Sequence, residues 1–588
     1  MSAHDRALLE TKIRALQLSI KEKRKDEAKL LAQDLQEVSK PLLKKTAFQQ
    51  ITEFIFAIAF ALVFATIFRQ MYLDPMEIPT GSMRPTFREQ DRVVVSKMPF
   101  GINIPLTPGQ FYFDSSLVKR GDIIVFTAEN MEVDDPKTTY FGLFPGYKRL
   151  VKRCIAKPGD TIYFYGGKVY GIDSDGQGFI EWMNPSTLSV IDHIPFIRFE
   201  GKVTQGLQNG ELLINQMNMP LGRIQMGSYG VPKGEIRVNN QWISDKPYLA
   251  TKPHNQIVTY SDFWGFNNFA NIRMLNAKQA PQGLDPANAY LELHHTPQLN
   301  QAQIYQGGSN RLFPMLASET SYIPLQQTHL DALKNALYTS RFVVKDEQAN
   351  FYNYQRTISS PYAPKMPGVP DGSYEFYNGI AYKVGFQGIL TALEKSHPIY
   401  PKNVEQLQTL VNFGIEFNTY YGPNAQATGP YPNRFAYFQD GALFVMGYPI
   451  FQANDPILTQ FIANELDKQS KTTPTYIAFV DKGAPLKNGV VDPEFVKTFG
   501  FKIPQKMYLG LGDNYSMSAD SREFGLIPEE NLEGSPWVLM WPPGPRWGLP
   551  LQPDYPLFTL PKALLGIFAL IVAALWTIWK AKQQKRFR

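Results

Sequence analysis

The stretch Ile78-Pro-Thr-Gly-Ser-Met-Arg-Pro-Thr86 places the Ser82 hydroxyl among residues that restrict the backbone. Pro79 and Gly81 impose a non-helical path, and Gly81 also lets a second backbone approach closely. With the Thr80 hydroxyl two residues earlier, one short loop could offer a nucleophile and an oxyanion donor. The same composition also makes an ordinary turn, so these residues alone leave both readings open. The single cysteine, Cys154, rules out an intrachain disulfide and reads as a small buried apolar residue rather than a thiol nucleophile. His294 and His295 are adjacent, so their side chains point apart and make a poor metal site. There is no zinc-finger spacing, P-loop or Gly-rich dinucleotide fingerprint. A net charge of +6 over 588 residues is too dilute for a nucleic-acid surface. No metal, no cofactor and no nucleic acid are therefore expected.

The elements that must position such a loop include two apolar runs. Phe54 to Phe68, extendable back through Ile51, gives about 18 residues, the short end of a spanning helix. Glu53 falls at its interfacial end, and Lys44, Lys45 and Arg69 flank it. The run starts too deep for a cleavable secretory signal and no small-x-small site follows, so it reads as an uncleaved anchor. Ala563 to Trp579 is the second run, with two tryptophans at its end and Lys580, Lys582, Lys585, Arg586 and Arg588 beyond. Aromatic belt plus basic tail marks a cytoplasmic interface, and residues 1–47 carry the basic run Lys21-Glu-Lys-Arg-Lys25. Both termini are expected in the cytoplasm, with residues 70 to 560 on the outer side. Residues 4–39, with Leu8, Leu9, Ile13, Leu16 and Ile20 at helical spacing, read as one charged amphipathic helix, solvated or self-associating.

Four further stretches follow Ser82 in order. They are Asp91-Arg-Val-Val-Val95, Arg120-Gly-Asp-Ile-Ile-Val-Phe126, Val151-Lys-Arg-Cys-Ile-Ala-Lys-Pro-Gly-Asp160, and Gly512-Asp-Asn-Tyr-Ser-Met-Ser-Ala-Asp-Ser-Arg522. Together with the loop around Ser82, they resemble the ordered boxes of the type I signal peptidases, which are membrane-anchored serine proteases of the Ser–Lys kind. The resemblance implies that Ser82 is the nucleophile, that Thr80 and the Ser82 N–H form the oxyanion hole, and that Lys152 is the general base. It places Ser518 where a hydroxyl orients the lysine. By the same resemblance Asp513 would pair with Arg153 and Asp520 with Arg522, as scaffold charges. Met76, Ile78, Met83, Leu150 and Val151 would line shallow pockets for small residues, giving an Ala-x-Ala preference.

A lysine near pKa 10.4 is protonated at neutral pH and cannot accept a proton, so a base role needs an apolar environment. Leu150, Val151 and the strand Val93-Val-Val95 are expected to supply it. Lys97, Lys148 and Lys157 are read as solvated strand charges. Two departures from the family pattern stand out: Tyr515 and Ser516 replace a common Arg-Asp, and Ala156 replaces a Gly.

The resemblance implies a mostly β fold: an antiparallel β catalytic domain with a large α+β insertion, flanked by two transmembrane helices. The expected division is a cytoplasmic charged helix (1–47), an anchor (48–69), the first catalytic part (70–160), an insertion (161–500), the second catalytic part (501–550) and a C-terminal spanning helix (561–580). Within the insertion, Thr161 to Tyr170, Glu235 to Ile243 and Ser340 to Val344 read as strands. Asn403 to Phe413 and Asp455 to Lys468 read as helices, the latter opened by an N-cap and an N1 proline. The insertion has no catalytic constellation and is expected to serve structure or an unidentified partner. Trp537, Trp541 and Trp547 read as a packed loop or as a bilayer-facing patch. The expected partners are preprotein signal peptides and the lipid bilayer, and the expected location is a bacterial cytoplasmic membrane with the catalytic domain on its outer, periplasmic side.

Overall fold

A computed structural model describes the chain except for residues 1–2, 43–46, 132, 134, 141–143, 181–202, 206–210, 217–218, 227–231, 239–240, 245–268, 307–311, 354–362, 418–433, 473–475, 477, 557 and 587–588. Lys44, Lys45, Arg588 and parts of the expected insertion, including residues 239–240 of the expected strand Glu235 to Ile243, thus lie outside the described residues. The chain forms two units, Met1–Arg69 and Gln70–Arg588.

In the first unit the expected single amphipathic helix is two, Ala3–Lys21 and Lys25–Leu42. The break falls in the basic run, where Lys23 takes a left-handed φ of 59°. Lys12 on one helix bonds Asp34 on the other, so the two fold back as a hairpin. No glycine or proline marks that break, which is why helical periodicity ran through it. The helix Ala47–Met71 follows, apolar on every side, and Gln50–Met71 is long and apolar enough to cross a membrane.

The second unit is built on a seven-stranded antiparallel sheet. Its strands are β1 (Leu73–Glu77), β2 (Arg92–Ser96), β3 (Ile123–Thr127), β4 (Arg149–Ala156), β5 (Met507–Leu511), β6 (Ile527–Pro528) and β7 (Leu532–Trp541). Their order is β1-β2-β7-β3-β4-β5-β6. β3 is a continuous apolar run because it is buried on both faces. Ile123 and Val125 enter a core with Ile78, Met83, Val93, Val95 and Leu539. Ile124 and Phe126 face the other core, with Phe100, Cys154, Tyr508 and Ile527.

Charge also sits inside this sheet. Lys97, expected to be solvated, is 1% exposed and donates to Glu533 at 2.5 Å, with Asp74 at 3.8 Å. Arg149 reaches Asp74 at 2.5 Å and Glu533 at 2.8 Å. Burial lowers the Lys97 pKa, and Glu533 opposes that shift. These four groups tie β1, β4 and β7 to the end of β2, a pairing that strand alternation within one strand cannot reveal.

Thr161 to Tyr170, read as one strand, is a hairpin of 161–165 and 168–172. Gly166 and Gly167, at φ 57° and 73°, make the turn. A short strand at 501–502 pairs with Ile162 and Thr161.

The largest core belongs to the inserted region. A six-stranded and a five-stranded antiparallel sheet, drawn from residues 269–451, enclose it together with helices Gln327–Ala336, Val404–Phe413 and Pro456–Thr472. Leu291, Phe342, Tyr374, Leu407, Phe438 and Leu458 are among its buried residues. Asn403 caps the second helix by accepting from Gln406 N at 2.9 Å. Asp455 caps the third through Ile457 N at 2.8 Å, with Pro456 opening it. His295 is buried against Phe479 and Ser321, whereas His294 bonds Glu292, so the two rings diverge. The helix Leu560–Arg586 ends the unit, and Leu560–Lys582 is also long and apolar enough to span a membrane. The architecture is antiparallel β with an α+β insertion and two such helices, in line with the sequence reading.

Candidate active site

Ser82 lies in a one-turn 3-10 helix, Gly81–Met83, between β1 and β2. Ile78 closes this loop at both ends, donating to Asp91 O at 2.8 Å and accepting from Gln90 N at 2.9 Å. Thr80, the exposed N-cap of the turn, holds its hydroxyl 3.5 Å from Ser82 Oγ.

Lys152 arrives from β4, and its Nζ is 3.2 Å from Ser82 Oγ. The side chain is 3% exposed. Burial lowers its pKa to about 8; Asp520 and Asp513 oppose that shift, and Arg522 adds to it. Leu150 and Cys154 flank Lys152 on the same face of β4 and lie in one apolar cluster. Cys154 itself is fully buried, and burial pushes its thiol pKa up.

The loop after β5 closes over the turn. Asn514 N donates to Ser82 O at 3.0 Å, and Asn514 Nδ2 donates to Gly81 O at 3.1 Å. Asn514 belongs to the last box, between Asp513 and Tyr515, and nothing local in the sequence points to this task. Gly512 is forced by crowding. A Cβ there would sit 2.2 Å from Ser518 Oγ and 2.5 Å from Ser82 O. Gly512→Ala should therefore displace either Ser518 or the Ser82 turn. Substrate turnover by the purified variant is expected to fall about 10²-fold, the scale of a misplaced reacting group.

Both expected charge pairs form. Arg153 grips Asp513 with two bonds of 2.7 Å and also donates to Thr86, Gly121 O and Leu551 O. Arg522 grips Asp520 at 2.8 and 2.7 Å. Burial would raise Asp520, but Arg522, Gly512 N–H and the Ser518 hydroxyl hold it at about 2. Removing Arg153 leaves Asp513 buried and unpaired. Arg153→Met should cost about 3–5 kcal/mol in chemical unfolding.

Ser518 is 1% exposed and lies over Gly512, on the side that Ser82 approaches. Its hydroxyl influences Asp520 but makes no well-formed hydrogen bond among the described residues, to Lys152 or to any other group. The apolar candidates divide. Met76, Ile78, Met83 and Val151 share one cluster, whereas Leu150 packs on the opposite side of β4. Neighbours on a strand face opposite ways, so Leu150 and Val151 cannot line one pocket. Tyr515, at one departure from the family pattern, packs edge-on against Phe435 at 4.4 Å, and Ser516 is buried. Trp537 and Trp547 are 54% and 63% exposed, while Trp541 donates to Gln387 O.

The arrangement offers a hydroxyl, an amine kept from water at moderate pKa, and a hydroxyl and backbone N–H beside them. That set can transfer an acyl group. Comparison with known proteins places the boxes in context. The family model described as "Signal peptidase, peptidase S26" matches residues 51–179 and 452–541. The chain is 28% identical over 208 residues to a signal peptidase I of Rickettsia typhi, covering 32% of this chain and 68% of that protein. It is 32% identical over 98 residues to a signal peptidase I of Buchnera aphidicola, covering 17% of this chain and 26% of that protein. A signal peptidase I of Pseudomonas aeruginosa is 28% identical over 103 residues, covering 17% and 29%. These last two matches span less than a third of the relatives' length.

Proposed function

We propose that this chain is a signal peptidase of the peptidase S26 kind, whose family model matches residues 51–179 and 452–541, and that it cleaves signal peptides from exported preproteins with a Ser82–Lys152 dyad. The observation carrying this reading is the 3.2 Å approach of Lys152 Nζ to Ser82 Oγ inside an apolar enclosure.

In the proposed reaction the neutral Lys152 amine takes the Ser82 proton as Oγ attacks the scissile carbonyl. The oxyanion is held by the Ser82 N–H and the Thr80 hydroxyl. The Lys152 ammonium then protonates the leaving amine, and water, activated by the same amine, releases the acyl group. Ser518 is assigned to orient the amine; its buried hydroxyl beside Gly512, with no well-formed hydrogen bond among the described residues, supports that task. Arg153–Asp513 and Arg522–Asp520 hold β4 and the closing loop in place. Met76 and Val151, partly exposed at the edge of the cluster containing Ile78 and Met83, are assigned to shallow pockets. The exposed Trp537 and Trp547 are assigned to the bilayer boundary, with the catalytic domain on the outer side of a bacterial cytoplasmic membrane and both termini in the cytoplasm.

Shallow pockets predict selection by exclusion. A preprotein with an Ala-x-Ala junction should be cut, and replacing the Ala before the scissile bond by Leu should lower kcat/KM about 10²-fold, since bulk must displace packed side chains. Equal cleavage of both junctions would sink the pocket assignment.

A further inference from the structure

The Ser82 turn does not rest on the catalytic sheet alone. Arg84 and Arg88, just beyond it, are 1% and 5% exposed, as is Glu89 at 5%. Arg84 donates to Glu89 Oε2 from Nε at 2.9 Å and from Nη2 at 2.5 Å. That ion pair lies directly under the residue preceding the nucleophile. A Cβ on Gly81 would meet Glu89 Oε1 at 2.7 Å and Arg84 Cδ and Nε at 3.1 Å.

Three buried guanidiniums meet here, and the loop pairs one carboxylate with them, Glu89, since its other, Asp91, pairs with Arg546. The second carboxylate that pairs with them comes from the inserted region. Glu375, on the strand Gly372–Tyr377, is 1% exposed and accepts from Arg84 Nη2 at 3.0 Å, from Arg341 Nε at 2.8 Å and from Arg88. Arg341, also from the insertion, donates to Glu89 O at 3.3 Å. Burial opposes ionisation of Glu375, but Arg84, Arg341 and Arg88 hold its pKa well below the carboxylate range. Around the same seam, Trp541 Nε1 donates to Gln387 O and Phe435 packs on Tyr515.

We propose that Glu375 is a positioning residue for catalysis: the insertion supplies the carboxylate that fixes the Arg84–Glu89 pair beneath Gly81, and with it the Ser82 turn. This rests on Ser82 being the nucleophile. Without Glu375, Arg84, Arg88 and Arg341 keep Glu89 as their only side-chain carboxylate partner among the described residues, while Arg546 occupies Asp91. Arg84 and Arg88 must then move, and Arg84 N is itself bonded to Gly81 O within the turn. Met76 and Val151, the residues assigned to the pockets, lie on β1 and β4 outside the turn, so the loss should appear in turnover more than in binding.

The test uses the full-length protein in lipid vesicles, with a preprotein carrying an Ala-x-Ala junction. Glu375→Gln is expected to lower kcat about tenfold or more while KM stays within about twofold. Glu375→Gln combined with Arg88→Gln, which restores the charge balance, should recover part of that loss. Glu465→Gln serves as a matched control. Glu465 is a buried carboxylate of the same insertion, bonded to Ser321, Tyr476 and Phe479 N, and remote in its contacts from the Ser82 turn. Its kcat should persist at an equal loss of Tm. Unchanged kcat in Glu375→Gln overturns the proposal. So does loss of activity in Glu375→Gln and Glu465→Gln in the same proportion to their loss of Tm. If Ser82→Ala still cleaves, the nucleophile assignment falls and takes this role with it; if Ser82→Ala is dead and Glu375→Gln fully active, only the positioning role falls.

Discussion

Ser82→Ala is expected to lower preprotein cleavage about 10⁴-fold or more, with substrate binding nearly intact, because a nucleophile acts in the transition state and not in the ground state. The substitution removes one oxygen from a half-buried position in a turn held by Asn514 through Gly81 O and Ser82 O, so the backbone frame survives. Folding should be unchanged, and unaltered thermal unfolding alongside lost turnover is the combined result to look for. Cleavage near the wild-type rate would mean that another group attacks. Cys154 cannot take that part while it is fully enclosed with its pKa raised.

Lys152→Met should remove activity by a further independent route, about 10²–10⁴-fold for loss of a general base. The pH profile makes the assignment specific. With a pKa of about 8, Lys152 must lose a proton before it can act. Wild-type kcat/KM should therefore rise about tenfold per unit through the acid limb and level off above pH 8, and the limb should vanish in Lys152→Met. Stability should rise with pH as well, over the range above the folded pKa. The folded pKa lies below the ordinary 10.5, so the protonated form is disfavoured in the folded protein. That penalty is complete below pH 8 and fades as pH rises toward 10.5, because the unfolded chain then binds more protons. At pH 7 Lys152→Met should be the more stable protein, by about 3 kcal/mol, at a side chain that is nearly fully enclosed. A destabilised Lys152→Met would argue that Lys152 packs as an ordinary structural residue.

The legible parts of this molecule are those where a backbone demand or a strict order of residue types reaches the sequence. Gly81 and Pro79 mark the loop, and the resemblance of Val151 to Asp160 to a family box marks the strand that meets it at 3.2 Å. Arg153, Asp513, Asp520 and Arg522 could be paired in advance by resemblance, and they are joined as expected. Asn403 and Asp455 announced their helices by capping chemistry that is local to the chain. Charges buried by tertiary contact were not legible. Lys97 looks like any strand lysine until Glu533 is brought to it, and Glu375 carries no sign of the arginines it meets almost 300 positions away. Leu150 shows a finer limit: sequence proximity to Val151 placed it in one pocket, whereas strand geometry sends the two to opposite cores.

The bond from Asn514 to Gly81 spans 433 positions of the chain. A polypeptide emerging from its N-terminus delivers the Ser82 loop and its local contacts early and the distant groups that steady it late: first Arg341 and Glu375, and only near the end Gly512 to Ser518. A nascent or truncated chain that stops short of β5 would expose an idle serine with no fixed geometry. Under the proposed mechanism, the frame around Ser82 is therefore complete only once the last part of the second unit's fold, from Gly512 on, is in place.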